Sequence, residues 1–271
     1  MKKNAIVTHL RLGTIEEMFR YKDEGFSLPP FPGYDPDQWG IKAHNRPWAV
    51  SRMKLGPGVR IMEVGGAYST LPKKLSDEFE VEAWIGDDFG ASVNDTALWT
   101  RWGNPRDLPQ KNKPVKYVFE AMGTFSSQYP NDYFDYVFSV STLEHIPMQQ
   151  MPNVFRDMHR CLKVGGKQVH TIDVTAALPL RGVVVARLFQ KYPILKRLLP
   201  MEDLNPLRPW VEALRQAGCD VVAAEPNVTE LLSREILVES PDVVYRYYPP
   251  VNRTKPYRPS ATLLVEIERT A

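Results

Sequence analysis

The stretch IMEVGGAYST, residues 61–70, joins an apolar run that ends in an acid to two glycines and then to hydroxyl residues. Alternating apolar residues predict a buried strand over 59–64, and the residues from Ser69 onward predict the start of a helix. Because Gly65 and Gly66 carry no Cβ atom, a ligand can lie against the backbone where the strand turns into the helix. A plain tight turn would use the same residues, so the glycine pair alone leaves both interpretations open.

Strands and helices alternate along the rest of the chain. Further strands are predicted at 81–85, 115–119, 136–140, 168–172, 221–222 and 263–267, with 243–247 as an additional candidate. Helices are predicted over 14–21, 151–162 and 205–217. We therefore expect an α/β fold with a Rossmann-like, mostly parallel sheet of seven strands and helices on both faces. Such a sheet binds ligands at the carboxyl ends of its strands.

The composition excludes several classes of protein. The chain has 271 residues, of which 43% are hydrophobic and 24% charged, and its formal charge of +2 gives no reason to expect a nucleic-acid partner. It contains no run of about 18 apolar residues, so no transmembrane segment is predicted. The N-terminal residues lack the apolar core of a secretory signal. Cys161 and Cys219 lie far apart, which suits a reducing compartment, and we expect a cytoplasmic protein.

Three further motifs follow the first in order. WIGDDFG, residues 84–90, places acids at the end of the second predicted strand, where they can accept hydrogen bonds from ribose hydroxyls. YPNDYFDYVFSVSTLEHIP, residues 129–147, surrounds the fourth strand, and MHRCLKVGGKQVHTIDV, residues 158–174, predicts a helix, a glycine turn and a strand. Together with IMEVGGAYST, these motifs resemble the class I S-adenosylmethionine-dependent methyltransferase family, in particular its large subgroup acting on small molecules. The resemblance covers 59–174.

The resemblance implies S-adenosyl-L-methionine as the cofactor and assigns residues to it. Glu63 matches the acid that helps to orient the methionine part. Gly65, Gly66 and Ala67 match the glycine loop, with Ala67 in place of the usual second glycine. A methyl group at this position would crowd the cofactor if the backbone needs a positive φ.

The resemblance also assigns the loops after the second, third and fourth strands. Asp88 matches the ribose acid, and a shift of the alignment by one residue would make it Asp87. The usual acid beside the adenine is missing, and the aligned segment offers backbone amides and a methionine side chain. Its residues are Met122, Gly123 and Thr124. The residues implied beside the methionine chain and the sulfonium are Ser139, Val140, Ser141 and Leu143.

Catalysis by this family depends mainly on alignment for in-line displacement at the methyl group. A hydroxyl acceptor usually needs a base as well. His145 follows the strand that borders the methyl group in the resembled fold, and Asp173, at the end of the fifth strand, is the alternative base. Since Leu-Glu-His is frequent in the family across different acceptors, a structural role for His145 stays open. Glu144, His145 and Asp173 lack recognisable ligand spacing, so no metal site is predicted.

We expect residues 1–50 to form an N-terminal extension or lid and 51–271 to form the methyltransferase domain, with a helical insertion at 175–205 on the acceptor side. Within 175–201, five basic residues and no acid interleave with apolar residues. This segment either contacts an anionic membrane surface or a phosphorylated or glycolipid acceptor, or packs as an amphipathic helix pair on the core.

The predicted function is methylation of a small-molecule acceptor. A hydroxyl oxygen of a sugar or of another biosynthetic compound is preferred to an amine as the group that is methylated. The alternatives are a protein or RNA methyltransferase and a methyltransferase-like binding protein that has lost catalysis. The substitution by Ala67 and the missing adenine acid motivate the last of these.

Overall fold

The computed structural model describes residues 5–27, 42–91, 97–175, 208–221, 238–239 and 260–271. Nine strands lie within these ranges: β1 (Ala5–Leu12), β2 (Arg60–Val64), β3 (Glu82–Gly86), β4 (Lys116–Val118), β5 (Phe134–Val140), β6 (Leu162–Thr175), β7 (Cys219–Val221), β8 (Val238–Glu239) and β9 (Ser260–Arg269). The helices in the same ranges are α1 (Ile15–Asp23), α2 (Lys42–Ser51), α3 (Leu71–Phe79), α4 (Ala97–Trp102), α5 (Leu108–Lys111), α6 (Met151–Cys161) and α7 (Arg208–Gln216). None of these helices is long and apolar enough to cross a membrane.

The strands form one mixed sheet with the order β4-β3-β2-β5-β6-β9-β1-β7, and β8 also pairs with β9. The five strands from β4 to β6 are parallel, whereas β9 runs antiparallel to β6 and β1. The strand order reverses between β2 and β5, which is where an open α/β sheet forms its ligand crevice. The predicted Rossmann-like fold is confirmed. The predicted count of seven strands is wrong, because the described part of the chain has eight strands on this path and β8 beside it.

The strand β1 was not predicted from the sequence. Its pairing with β9 shifts register between Val7 and His9, so the buried positions do not follow a strict alternation. The strand belongs to the segment that we expected to be an extension, yet it lies inside the sheet between β9 and β7. The division of the chain at residue 50 stays a prediction. The predicted insertion at 175–205 and the candidate strand at 243–247 lie outside the described residues, apart from Thr175.

Helices cover both faces of the sheet, as the apolar strands require. One core cluster joins β5 and β6 to side chains of α6 and α7, including Phe155 and Trp210. The other core cluster joins β2 and β5 to side chains of α2 and α3, including Trp48 and Leu75. The start of α1 is the predicted capping box, since the Glu17 amide donates to Thr14 Oγ1 over 3.3 Å and the Thr14 amide donates to Glu17 Oε2 over 3.1 Å.

Candidate active site at the carboxyl edge of the sheet

The loop after β2 needs glycine for both conformation and space. Gly65 has a φ of 69°, and its amide donates to the Gly86 carbonyl over 2.8 Å. A Cβ atom on Gly65 would lie 1.8 Å from Thr142 Cγ2, in the turn after β5. A Cβ atom on Gly66 would lie 3.2 Å from Glu63 Oε2. The loop therefore lies between the ends of β3 and β5, where the strand order of the sheet reverses.

We expect Gly65→Ala to lower the free energy of unfolding far more than Gly58→Ala. Both glycines have a positive φ, which costs an alanine about 1–2 kcal/mol. The space around Gly58 is open, whereas the new methyl group at residue 65 would overlap Thr142 and add about 1–3 kcal/mol. Chemical denaturation of the two variants measures the difference. Equal losses of stability would contradict the close approach of the two loops.

Glu63 is the last residue but one of β2 and is only 4% exposed. Its Oε2 atom is buried and has no hydrogen-bond partner among the described residues. Burial raises the pKa of Glu63 to about 7, although a hydrogen bond from Ser69 and the charge of Arg46 oppose this shift. Arg46, on α2, is only 6% exposed, and burial lowers its pKa to about 10 while Glu63 counteracts this. An acid and a guanidinium are therefore held within electrostatic reach beside the glycine loop. Glu63 is predicted from the sequence as a cofactor residue, whereas Arg46 is not.

Asp87 and Asp88 occupy different positions after β3. Asp87 accepts hydrogen bonds from the Ala67 amide over 2.8 Å and from the Phe89 amide over 2.6 Å. Burial raises the pKa of Asp87 to about 6, against the effect of these two bonds. Asp88 Oδ1 accepts from the Gly90 amide over 3.0 Å. Asp87 thus braces Ala67, which has a φ of 40°, whereas Asp88 lies in the following turn. Which of the two acids holds the ribose stays a prediction.

We expect Asp87→Ala and Asp88→Ala to separate stability from cofactor affinity. Asp87→Ala leaves two amides without their acceptor and should lower the free energy of unfolding by about 2 kcal/mol. Asp88→Ala should change stability by less than about 1 kcal/mol and weaken S-adenosylmethionine binding more, if Asp88 is the ribose acid. Thermal melting and a cofactor titration measure the two effects. An Asp88→Ala protein with unchanged affinity would show that the alignment is shifted by one residue.

The segment after β4 is held to α6. Met122 lies in the core cluster, and the amides of Gly123 and Phe125 each donate to Asp157 Oδ2 over 2.9 Å. Thr124 is exposed and donates to the Ala121 carbonyl over 2.8 Å. An aromatic cluster lies beyond the ends of β2, β3 and β4. Its members include Tyr68, Phe89, Trp102 and Phe119, with ring centroids 5.4–5.7 Å apart between neighbours.

The three residues assigned at the end of β5 point in different directions. Ser139 is fully buried toward α6, and its hydroxyl lies 2.9 Å from His170 Nδ1. Val140 packs in the core cluster on the opposite face. Ser141 has a φ of 48°, which turns its side chain toward polar groups at the edge of the sheet. Ser141 is therefore the one of the three that reaches the candidate site through a polar group.

Asp173 and its neighbours form the polar group at the ends of β5 and β6. Asp173 Oδ1 accepts from Ser141 Oγ and from Asn45 Nδ2, each over 3.1 Å. Burial raises the pKa of Asp173, and the positive charge of Lys42 is the largest influence against this. Burial and then repulsion by Asp173 raise the pKa of Glu144, whose Oε2 atom is buried without a hydrogen-bond partner among the described residues.

His145 lies in a 3-10 turn, Leu143–His145, and is exposed. Its charge lowers the pKa of Asp173, so the two predicted catalytic residues lie within electrostatic reach of each other. The described residues contain no group of three or more histidine, cysteine, aspartate or glutamate side chains arranged to hold a metal ion. The arrangement offers a carboxylate with a raised pKa at the sheet edge and an imidazole at the surface beside it.

Comparisons with known proteins find similar methyltransferases. A family model described as "Methyltransferase domain" matches residues 103–169. Phosphoethanolamine N-methyltransferase 3 of Arabidopsis thaliana is 25% identical over 190 residues, which cover 69% of this chain and 34% of the relative. The chain therefore spans about a third of the length of this curated relative.

Two solved structures share the fold. A Galdieria sulphuraria protein with the provisional name sarcosine dimethylglycine methyltransferase matches with a TM-score of 0.54 and 13% identity, over 94% of this chain and 98% of its own. Geranyl diphosphate methyltransferase in complex with its cofactor matches with a TM-score of 0.50 and 10% identity, over 83% of this chain and 84% of its own. The predicted class I methyltransferase fold is confirmed by these two likenesses, and the second neighbour was solved with S-adenosylmethionine bound.

Proposed function

We propose that this chain, which carries a class I S-adenosylmethionine-dependent methyltransferase domain, transfers a methyl group from that cofactor to a small-molecule acceptor at the carboxyl edge of its sheet. The observation that carries the proposal is the buried pair of Glu63 and Arg46 beside the glycine loop. The buried, unpartnered Oε2 atom of Glu63 is costly unless a ligand donates a hydrogen bond to it.

The amino-acid end of S-adenosylmethionine fits the pair of Glu63 and Arg46. Glu63 would accept hydrogen bonds from its ammonium, and Arg46 would donate to its carboxylate. Because Gly65 and Gly66 have no side chain, their loop can pass close to Thr142 and Glu63. When bound, S-adenosylmethionine supplies a methyl group activated by a sulfonium. The assignment of the adenine to the segment containing Met122 and of the ribose to Asp88 stays part of the proposal.

The acceptor would lie beside Asp173, across the crevice from Glu63. A hydroxyl acceptor loses a proton when its oxygen attacks carbon, and in this proposal Asp173 takes that proton. The raised pKa of Asp173 makes its carboxylate a stronger base than an ordinary aspartate. Methylation of a hydroxyl, with a sugar or glycolipid as a candidate acceptor, therefore remains our first proposal. Contact of 175–201 with a membrane surface and a cytoplasmic location also stay proposals.

An amine acceptor is the second candidate. The name of the Arabidopsis relative states N-methylation of phosphoethanolamine. In this chain, Glu144 and Asp173 place two carboxyl groups near each other, and an ammonium would be attracted to them. The same group of residues could bind the cation and then take its proton before nitrogen attacks.

Cofactor titration and an acceptor panel test the proposal. We expect S-adenosylmethionine to bind the purified chain, as measured by calorimetry, and S-adenosylhomocysteine to be released when an acceptor is added. Phosphoethanolamine and 2-hydroxyethyl phosphate form a matched pair that differs at the reacting atom, and sugars extend the hydroxyl series. Absence of cofactor binding would overturn the proposal. Binding without turnover on the panel or on cell extract would favour the non-catalytic binding protein.

A further inference from the structure

A buried asparagine from the N-terminal part of the chain joins the candidate acceptor site. Asn45, on α2, is fully buried. Its Nδ2 donates to Ser141 Oγ over 3.0 Å and to Asp173 Oδ1 over 3.1 Å, while Ser141 Oγ also donates to Asp173 Oδ1 over 3.1 Å. Its Oδ1 accepts from Thr262 Oγ1 over 2.8 Å. One amide thus connects α2 to the ends of β5 and β6 and to β9.

The chemistry of this contact requires an amide. The Thr262 hydroxyl donates to one end of the Asn45 side chain, which fixes the NH2 group at the other end, toward the acid. Asp173 Oδ1 then receives two donors, from Asn45 and Ser141, and both favour its charged form. An aspartate at residue 45 would have the same shape and would place an oxygen where the donor now lies.

We propose that Asn45 is a positioning residue, which holds the Asp173 carboxylate and the Ser141 hydroxyl in one orientation so that the carboxylate faces the acceptor. The inference rests on the proposed function, because it assigns a purpose to the acceptor side of that site. In this proposal, α2 contributes a positioning residue to the site. No motif in the sequence indicated this role for the segment before residue 50.

The test compares Asn45→Ala and Asn45→Asp with the wild type. Among the described residues, the charged and titratable groups that act on Asp173 include Lys42 on α2 and Glu144 and His145 after β5. With these unchanged, loss of the amide donor should raise the pKa of Asp173, since a hydrogen bond to the charged form is removed. Asn45→Asp should raise it further, because two acids then face each other.

Two measurements report this effect. Carbon NMR titration of the Asp173 carboxyl group needs no acceptor, and we expect its midpoint at a higher pH in both variants. With an acceptor, we expect kcat to fall by about 10- to 100-fold and its pH profile to move to higher pH, while the affinity for S-adenosylmethionine stays within about twofold.

Thr171→Val is the matched control. Thr171 is fully buried on β6, two residues before Asp173, and its Oγ1 has no hydrogen-bond partner among the described residues. This variant should leave the titration and the rate unchanged. An unchanged Asp173 midpoint in Asn45→Ala, or an equal shift in Thr171→Val, would overturn the inference. If the wild-type protein does not bind S-adenosylmethionine, the proposed function is wrong. The NMR comparison would still decide the role of Asn45.

Discussion

Glu63→Gln should weaken the binding of S-adenosylmethionine by roughly 10- to 100-fold, because a charge-assisted hydrogen bond to the ammonium becomes a neutral one. Glutamine preserves the shape of the side chain, so the glycine loop should keep its conformation. Titration calorimetry measures the affinity. Glu82 is the first residue of β3 and lies at the end of that strand away from the crevice. Glu82→Gln removes a carboxylate from the same sheet and should leave the affinity unchanged within about twofold. Equal affinities of wild type and Glu63→Gln would contradict the assignment.

The pH dependence of binding gives a second readout of Glu63. Burial raises its pKa from 4.5 to about 7, so the folded protein without ligand holds a proton that the unfolded chain has released at neutral pH. Stability without ligand should therefore fall by up to about 3 kcal/mol as the pH rises from about 4.5 to about 7. An ammonium favours the charged acid, so binding should release a proton and tighten over the same range. Glu63→Gln should reduce the pH dependence of both stability and binding. Calorimetry in two buffers with different ionisation enthalpies measures the proton release. A release that persists in Glu63→Gln would show that another group loses the proton.

The part of the site built from local sequence could be predicted. Glu63, near the end of β2, and Gly65, in the turn that follows, carry their signal within ten residues of sequence. The structure places both residues where the strand order of the sheet reverses. Arg46 and Asn45 carry no such signal, because Asn45 meets Asp173 across 128 residues of sequence. A polar residue in a buried helix gives no indication of which strand end it will contact.

Two further differences have local physical causes. Period-two alternation puts Ser139 and Ser141 on the same face of β5, but the positive φ of Ser141 turns its side chain away from that of Ser139. The β1 strand escaped prediction because its register shift breaks the same alternation. A pattern of apolar residues predicts regular strands well and predicts poorly where the backbone departs from them. Such departures lie next to the candidate site at Ala67 and Ser141.

Asp173→Asn should slow methyl transfer to a hydroxyl acceptor by about 100- to 1,000-fold, since asparagine cannot accept the proton that the acceptor loses. The variant keeps an oxygen that Ser141 and Asn45 can contact, so the affinity for S-adenosylmethionine should change by less than about twofold. His145→Ala should slow transfer much less, because that imidazole is exposed and Asp173 would still be present. Single-turnover formation of S-adenosylhomocysteine separates the chemical step from product release.

The matched control and the pH profile decide between a base and a structural acid. Thr171→Val alters the same strand and should transfer at the wild-type rate. In the wild type, the rate should rise with pH as Asp173 loses its proton, at a midpoint above that of an ordinary aspartate because burial raises its pKa. Asp173→Asn should lose this limb of the profile. Loss of a base should slow transfer by far more than threefold. If Asp173→Asn binds the cofactor and transfers the methyl group at a rate within about threefold of the wild type, Asp173 is not the base.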